Sequence, residues 1–71
     1  MLSNMRAERY RLGLTARQVG EKIGKSGKSV LLYERGEVDP PSSVLIKLAK
    51  LYGSSPEYLI HDSAPKKVLR S

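Results

Sequence analysis

Glycine or proline interrupts this chain at Gly13, Gly24, Gly36, Pro40-Pro41, Gly53 and Pro56. The segments between are short. Their apolar residues recur at helical spacing with little alternation, which predicts an all-α fold, a compact bundle of five short helices, and argues against strands. A first helix is expected over residues 4–12, with Met5, Arg9 and Leu12 on one face and Gly13 in the left-handed conformation that ends a helix. Thr15-Ala16-Arg17-Gln18 has the form of a capping box. In such a box the Thr15 hydroxyl accepts from the Gln18 amide while the Gln18 side chain reaches back to the Thr15 amide. It opens a second helix that turns Val19 and Ile23 inward and stops at Gly24. Ser26 is placed to cap a third helix, which runs to Arg35 before Gly36. After the loop Glu37-Val38-Asp39-Pro40-Pro41, a fourth begins at Ser42 or Ser43 and carries Leu45, Leu48, Ala49 and Tyr52 inward. The fifth is short, capped by Ser55, with Pro56 at its first position. The expected core is Met5, Leu12, Leu14, Val19, Ile23, Val30, Tyr33, Leu45, Leu48, Ala49, Tyr52 and Leu59.

With 71 residues the chain has room for one domain, expected at 1–61, with 62–71 as a flexible tail or a linker around Pro65-Lys66-Lys67. So short a chain needs a staple or very consistent packing. Cysteine is absent and His61 is the lone histidine, so disulfides are excluded and no metal or other cofactor is expected. Association of copies is the remaining route to more burial. Thirteen Lys and Arg against seven Asp and Glu give a net charge of +6, the balance of a small intracellular protein that meets a polyanion. No apolar run approaches the ~18 residues of a membrane span, and no signal-peptide pattern precedes the charged stretch at 6–11, so a cytoplasmic protein is expected.

The second and third helices, separated by the turn at 24–26, have the dimensions of a helix-turn-helix. Their neighbours add specificity. Arg9, Leu12-Gly13-Leu14-Thr15, Val19-Gly20-Glu21-Lys22-Ile23-Gly24, Val30, Tyr33-Glu34-Arg35-Gly36, Pro40, Leu45, Leu48-Ala49 and Gly53 follow one another with a familiar order and spacing. Over residues 9–60, about three quarters of the chain, the sequence resembles the lambda-repressor-like (Cro/CI, XRE-type) regulators of phages and bacteria. That resemblance implies sequence-specific binding of double-stranded DNA by a transcriptional repressor close to the bacterial nucleoid, with the third helix in the major groove. It places the base-contacting positions on Gly27, Lys28 and Leu32. Lys28 would donate to guanine O6 or N7, and Leu32 would meet a thymine methyl. Ser26 and Ser29, at the start of the helix, are candidates for phosphate oxygens, as are Arg17, Lys22, Lys25 and Arg35. The resemblance also implies a structural pair between Arg9 of the first helix and Glu34 of the third.

With Val30 and Tyr33 inward and about 100° per residue, Lys28 and Arg35 point most directly outward, flanked by Leu31 and Leu32. Three positions depart from the family pattern. Ala16 stands where a phosphate-clamping glutamine is usual, so that contact is missing unless Arg17 substitutes. The loop Glu37-Val38-Asp39 is acidic where a basic one is common, and Val30-Leu31-Leu32-Tyr33 is unusually apolar for a helix facing a groove. The stripe Lys28, Leu31, Leu32, Arg35 would equally suit a protein partner, so an adaptor or anti-repressor with this fold is the alternative reading, and an antitoxin another. An enzyme is not expected, since neither paired carboxylates nor a phosphate-cradling loop appears, and His61 reads as an inert residue or a charge at the last helix end. One such module buries little surface, so a homodimer on two half-sites is expected. Pro56, Tyr58, Leu59 and Ile60 are the candidate interface, unless Leu59 and Tyr58 serve to close the monomer core.

Overall fold

The computed structural model describes residues 3–61. The tail or linker expected at 62–71 lies outside the described residues. Five helices follow one another: α1 Ser3–Arg11, α2 Ala16–Ile23, α3 Gly27–Arg35, α4 Ser42–Tyr52 and α5 Pro56–Leu59, with no strand among the described residues. The ends are set by the local chemistry that the sequence announces. Thr15 and Gln18 form the reciprocal capping box, Ser26 accepts from the Ser29 amide, and Ser55 accepts from the Tyr58 amide. Gly24 and Gly36 both close their helices with positive φ, at 77° and 76°.

α2 and α3 form the most intimate pair, α1 packs across α3 and α5, and α4 lies against α2 and α5. Between them sit Met5, Val19, Ile23, Val30, Tyr33, Val44, Leu48, Ala49, Tyr52 and Leu59, all nearly inaccessible to solvent. Burying each large aliphatic side chain of this set contributes about 1.5–3 kcal/mol.

Three core expectations need correction. Leu12 is 39% exposed, because α1 stops at Arg11 and the turn at Gly13 swings the chain so that Leu14, not Leu12, meets the core. Leu14 and Leu45 are only partly buried. On α4 the fully inward position is Val44, one residue earlier, which shares a face with Leu48, Ala49 and Tyr52. Asn4 is also buried, and its side-chain amide donates to the Tyr58 carbonyl at 2.6 Å, tying the start of α1 to α5. At the other end of α1, Arg11 donates to the Tyr52 carbonyl at 2.9 Å.

Tyr52 supplies a pH test of this packing. Burial, and then the Glu34 charge, push its phenol up to about 12 from the ordinary 10.0. A pKa raised on folding means that the contribution is complete below pH 10 and disappears as pH rises toward 12. The loss should be on the order of 2 kcal/mol over that interval. Urea melts at rising pH should therefore show Tyr52→Phe losing less stability than wild type; equal losses would contradict the assignment.

Candidate nucleic-acid interface

The turn between α2 and α3 is built from backbone contacts. Lys25 N–H donates to the Gly20 carbonyl at 2.8 Å, and Gly20 is buried against the Lys25 and Ser26 backbone with no room for a side chain. Gly27 is half-buried, and a Cβ there would lie 3.1 Å from the Arg17 Cα and N. The bare side of Gly27 therefore faces α2 and permits the close approach of two helices.

On the opposite side, Lys28 is exposed and forms no ion pair among the described residues, Leu31 is 38% exposed, and Arg35 reaches Glu37 only at 4.0 Å. Leu32 is half-buried, so less of it is presented outward than of Leu31. Ser26 spends its hydroxyl as the cap, accepting from the Ser29 amide and donating to the Ser29 Oγ, both at 3.1 Å. That leaves Ser29 as the hydroxyl whose own proton is available to an anion. Around α2, Lys22 and Lys25 are exposed, and Arg17 pairs loosely with Glu21 at 3.8 Å, an exposed contact of little energetic weight.

Arg9 and Glu34 meet in a two-pronged ion pair. Arg9 Nε and Nη2 donate to the two Glu34 carboxylate oxygens at 2.7 and 3.0 Å, and Nη1 donates to the Leu14 carbonyl at 3.2 Å. Both residues are buried, 7% and 3% exposed. The hydrogen bond to Glu34 raises the Arg9 pKa further, against the opposing effect of burial, so the charge persists. Every buried side-chain nitrogen and oxygen among the described residues has a hydrogen-bond partner. The pair ties α1 directly to α3.

At the far end, Leu59 is wholly buried and packs in the core of the single chain. Pro56 is half-buried, and Tyr58, 39% exposed, donates its hydroxyl to Glu8 at 3.3 Å. Ile60, 45% exposed, lines an open groove of about 420 Å³ with Gly36, Asp39, Pro40 and Leu45. His61 closes the last turn through a 2.6 Å hydrogen bond between Nδ1 and the Glu57 carbonyl. No helix among the described residues is long and apolar enough to cross a membrane.

Residues 5–59, well over half of the chain, match the helix-turn-helix family. The chain belongs to the Cro/CI-type helix-turn-helix family. The matched stretch begins at Met5 and ends at Leu59, two side chains that are wholly buried, so the family unit and the packed core coincide. Among curated proteins the chain is similar to the HTH-type transcriptional regulator ImmR of Bacillus subtilis (strain 168), 33% identical over 64 residues, which is 89% of this chain and 50% of that protein. The chain thus spans about half the length of this relative. No solved structure matches at a significant level. Within the family fold, the exposed basic and aromatic residues of α1, Arg6 and Tyr10, went unread in the sequence, although their i, i+4 spacing already put them on one face.

Proposed function

We propose that this chain is the DNA-binding module of a transcriptional regulator that acts as a repressor by setting α3 into the major groove. The observation that carries the reading is the way α3 is held. Glu34 and the core residues Val30 and Tyr33 fix its inner side, while Lys28, Leu31 and Arg35 are left facing outward. In the groove, Lys28 donates to guanine O6 or N7, and Leu32, aided by Leu31, offers an apolar contact to a thymine methyl. Arg17, Lys22, Lys25, Ser29 and Arg35 take phosphates, releasing counterions and making affinity salt-dependent. Two copies bind half-sites about 34–36 Å apart, one helical turn. Ile60 and the groove beside it, together with Tyr58 and Pro56, supply the contact between copies.

The exposure of Leu31 between two cations favours a second reading, in which the same stripe docks on a protein. Titration of random duplex DNA at rising salt, followed by selection of bound sequences, separates the two. The DNA reading predicts binding that weakens steeply with salt and selected sequences with two related half-sites. Absence of binding even at low salt would leave the protein-docking reading.

A further inference from the structure

The groove of about 420 Å³ beside Ile60 is apolar along Gly36, Pro40, Leu45 and Ile60, and Asp39 is the charged residue of its wall. Ile60 is 45% exposed there, and Val38, in the loop that leads into the groove, is 43% exposed. That loop, Glu37-Val38-Asp39, is acidic in a chain of net charge +6. It also follows directly on α3, where negative charge opposes the approach of DNA. Asp39 is exposed and forms no ion pair among the described residues, and Glu37 meets Arg35 only at 4.0 Å. An apolar groove with an acidic rim suits an occupant that is both apolar and basic. The chain carries such a segment itself. Lys66-Lys67-Val68-Leu69-Arg70, outside the described residues, sets two apolar residues among three cations and has no acidic one.

We infer that Val68 and Leu69 dock in this groove of their own chain, with Lys66, Lys67 and Arg70 against Glu37 and Asp39, and that a second copy must displace them to pair there. The displacement rests on the contact between copies proposed above; the docking stands without it. Reach and charge both favour the chain's own segment. Ile60 lines the groove, and the eight residues from Ile60 to Val68 extend up to about 26–29 Å, ample for the chain to turn back. A tether this short holds the segment at an effective concentration on the order of millimolar, so even weak docking fills the groove. Cations serving phosphate alone gain nothing from Val68 and Leu69, and the acidic rim rejects a nucleic acid. The acidic loop, a departure from the family pattern, thereby acquires a basic partner.

The test uses the 71-residue chain, whose lack of cysteine allows a single nitroxide to be placed at Ser71→Cys. Broadening of backbone amide signals by that label is read in a dilute, isotope-labelled sample. Gly36, Val38 and Leu45 should broaden strongly. Val68→Asp with Leu69→Asp should reduce the effect several-fold, as should Glu37→Lys with Asp39→Lys. Adding Lys66→Glu with Lys67→Glu to the latter should restore it, because the charges are then exchanged across the contact. All these residues are exposed or lie outside the matched unit 5–59, and circular dichroism spectra like that of wild type confirm folding. If Val68→Asp with Leu69→Asp broadens the same amides as wild type does, the label is near only because it is tethered, and docking is overturned. Broadening that appears only when labelled and unlabelled copies are mixed would assign the groove to a second copy's segment and overturn docking within one chain. Sedimentation equilibrium tests the displacement. Val68→Asp with Leu69→Asp should pair several-fold more tightly than wild type. Docking with unchanged pairing would overturn the displacement and move the contact between copies away from this groove.

Discussion

Glu34→Ala should destabilise the domain by about 3–5 kcal/mol, the usual effect of stripping one partner from a buried ion pair. The Arg9 guanidinium is left inside with its two shortest hydrogen bonds gone and only the Leu14 carbonyl remaining. A domain of about 60 residues has roughly 3–9 kcal/mol of stability in all, so most or all of it is at stake. Urea unfolding followed by circular dichroism measures the loss. Replacing both partners with apolar residues, Arg9→Met with Glu34→Leu, should recover much of the stability, because the net worth of a buried pair is small once desolvation is counted. What the double variant should not recover is the angle at which α3 is presented. A loss under about 1 kcal/mol in Glu34→Ala would mean that the pair behaves like a surface contact.

Gly20→Ala is expected to damage the turn itself. In an open helix the change would add about 1 kcal/mol of helix propensity. Here a Cβ would collide with the Lys25 carbonyl oxygen and lie 2.9 Å from the Ser26 carbonyl carbon. These are backbone atoms and cannot rotate aside, and moving them strains the Lys25-to-Gly20 hydrogen bond. Overpacking of this kind costs about 1–3 kcal/mol, and clashes with backbone lie at the upper end. The net result should be a less stable protein with α3 displaced relative to α2, so DNA affinity falls although Gly20 itself is buried. Gly27→Ala meets the Arg17 backbone at 3.1 Å, a tight contact but not a collision, and should be milder. Gly20→Ala as stable as wild type would contradict the geometry of the turn.

Helix ends were legible in the sequence because caps act within three or four residues. Thr15 with Gln18, Ser26, Ser55, Gly24 and Gly36 each perform the role their residue type suggests. The core was legible only where a helix face is settled by its own spacing, as with Val19, Ile23, Val30 and Tyr33. Leu12 was misplaced and Val44 missed because their burial depends on how a helix end or loop meets a neighbour, which local pattern does not encode. Leu59 illustrates the same limit, since one apolar residue on a four-residue helix reads equally as core or as interface. The partnership of Arg9 with Glu34, 25 residues apart in sequence, came from family resemblance and not from spacing.

The most direct test of the central claim, that α3 reads bases through Lys28, is a comparison of the sequences selected by wild type and by Lys28→Ala. The account predicts that wild type prefers guanine at one position in each half-site. In Lys28→Ala that preference should fall by about 1–3 kcal/mol while the other positions keep theirs. If Lys28→Ala selects the same sequences as wild type, or weakens every sequence equally, Lys28 is a phosphate contact or a bystander and the groove-reading account is wrong.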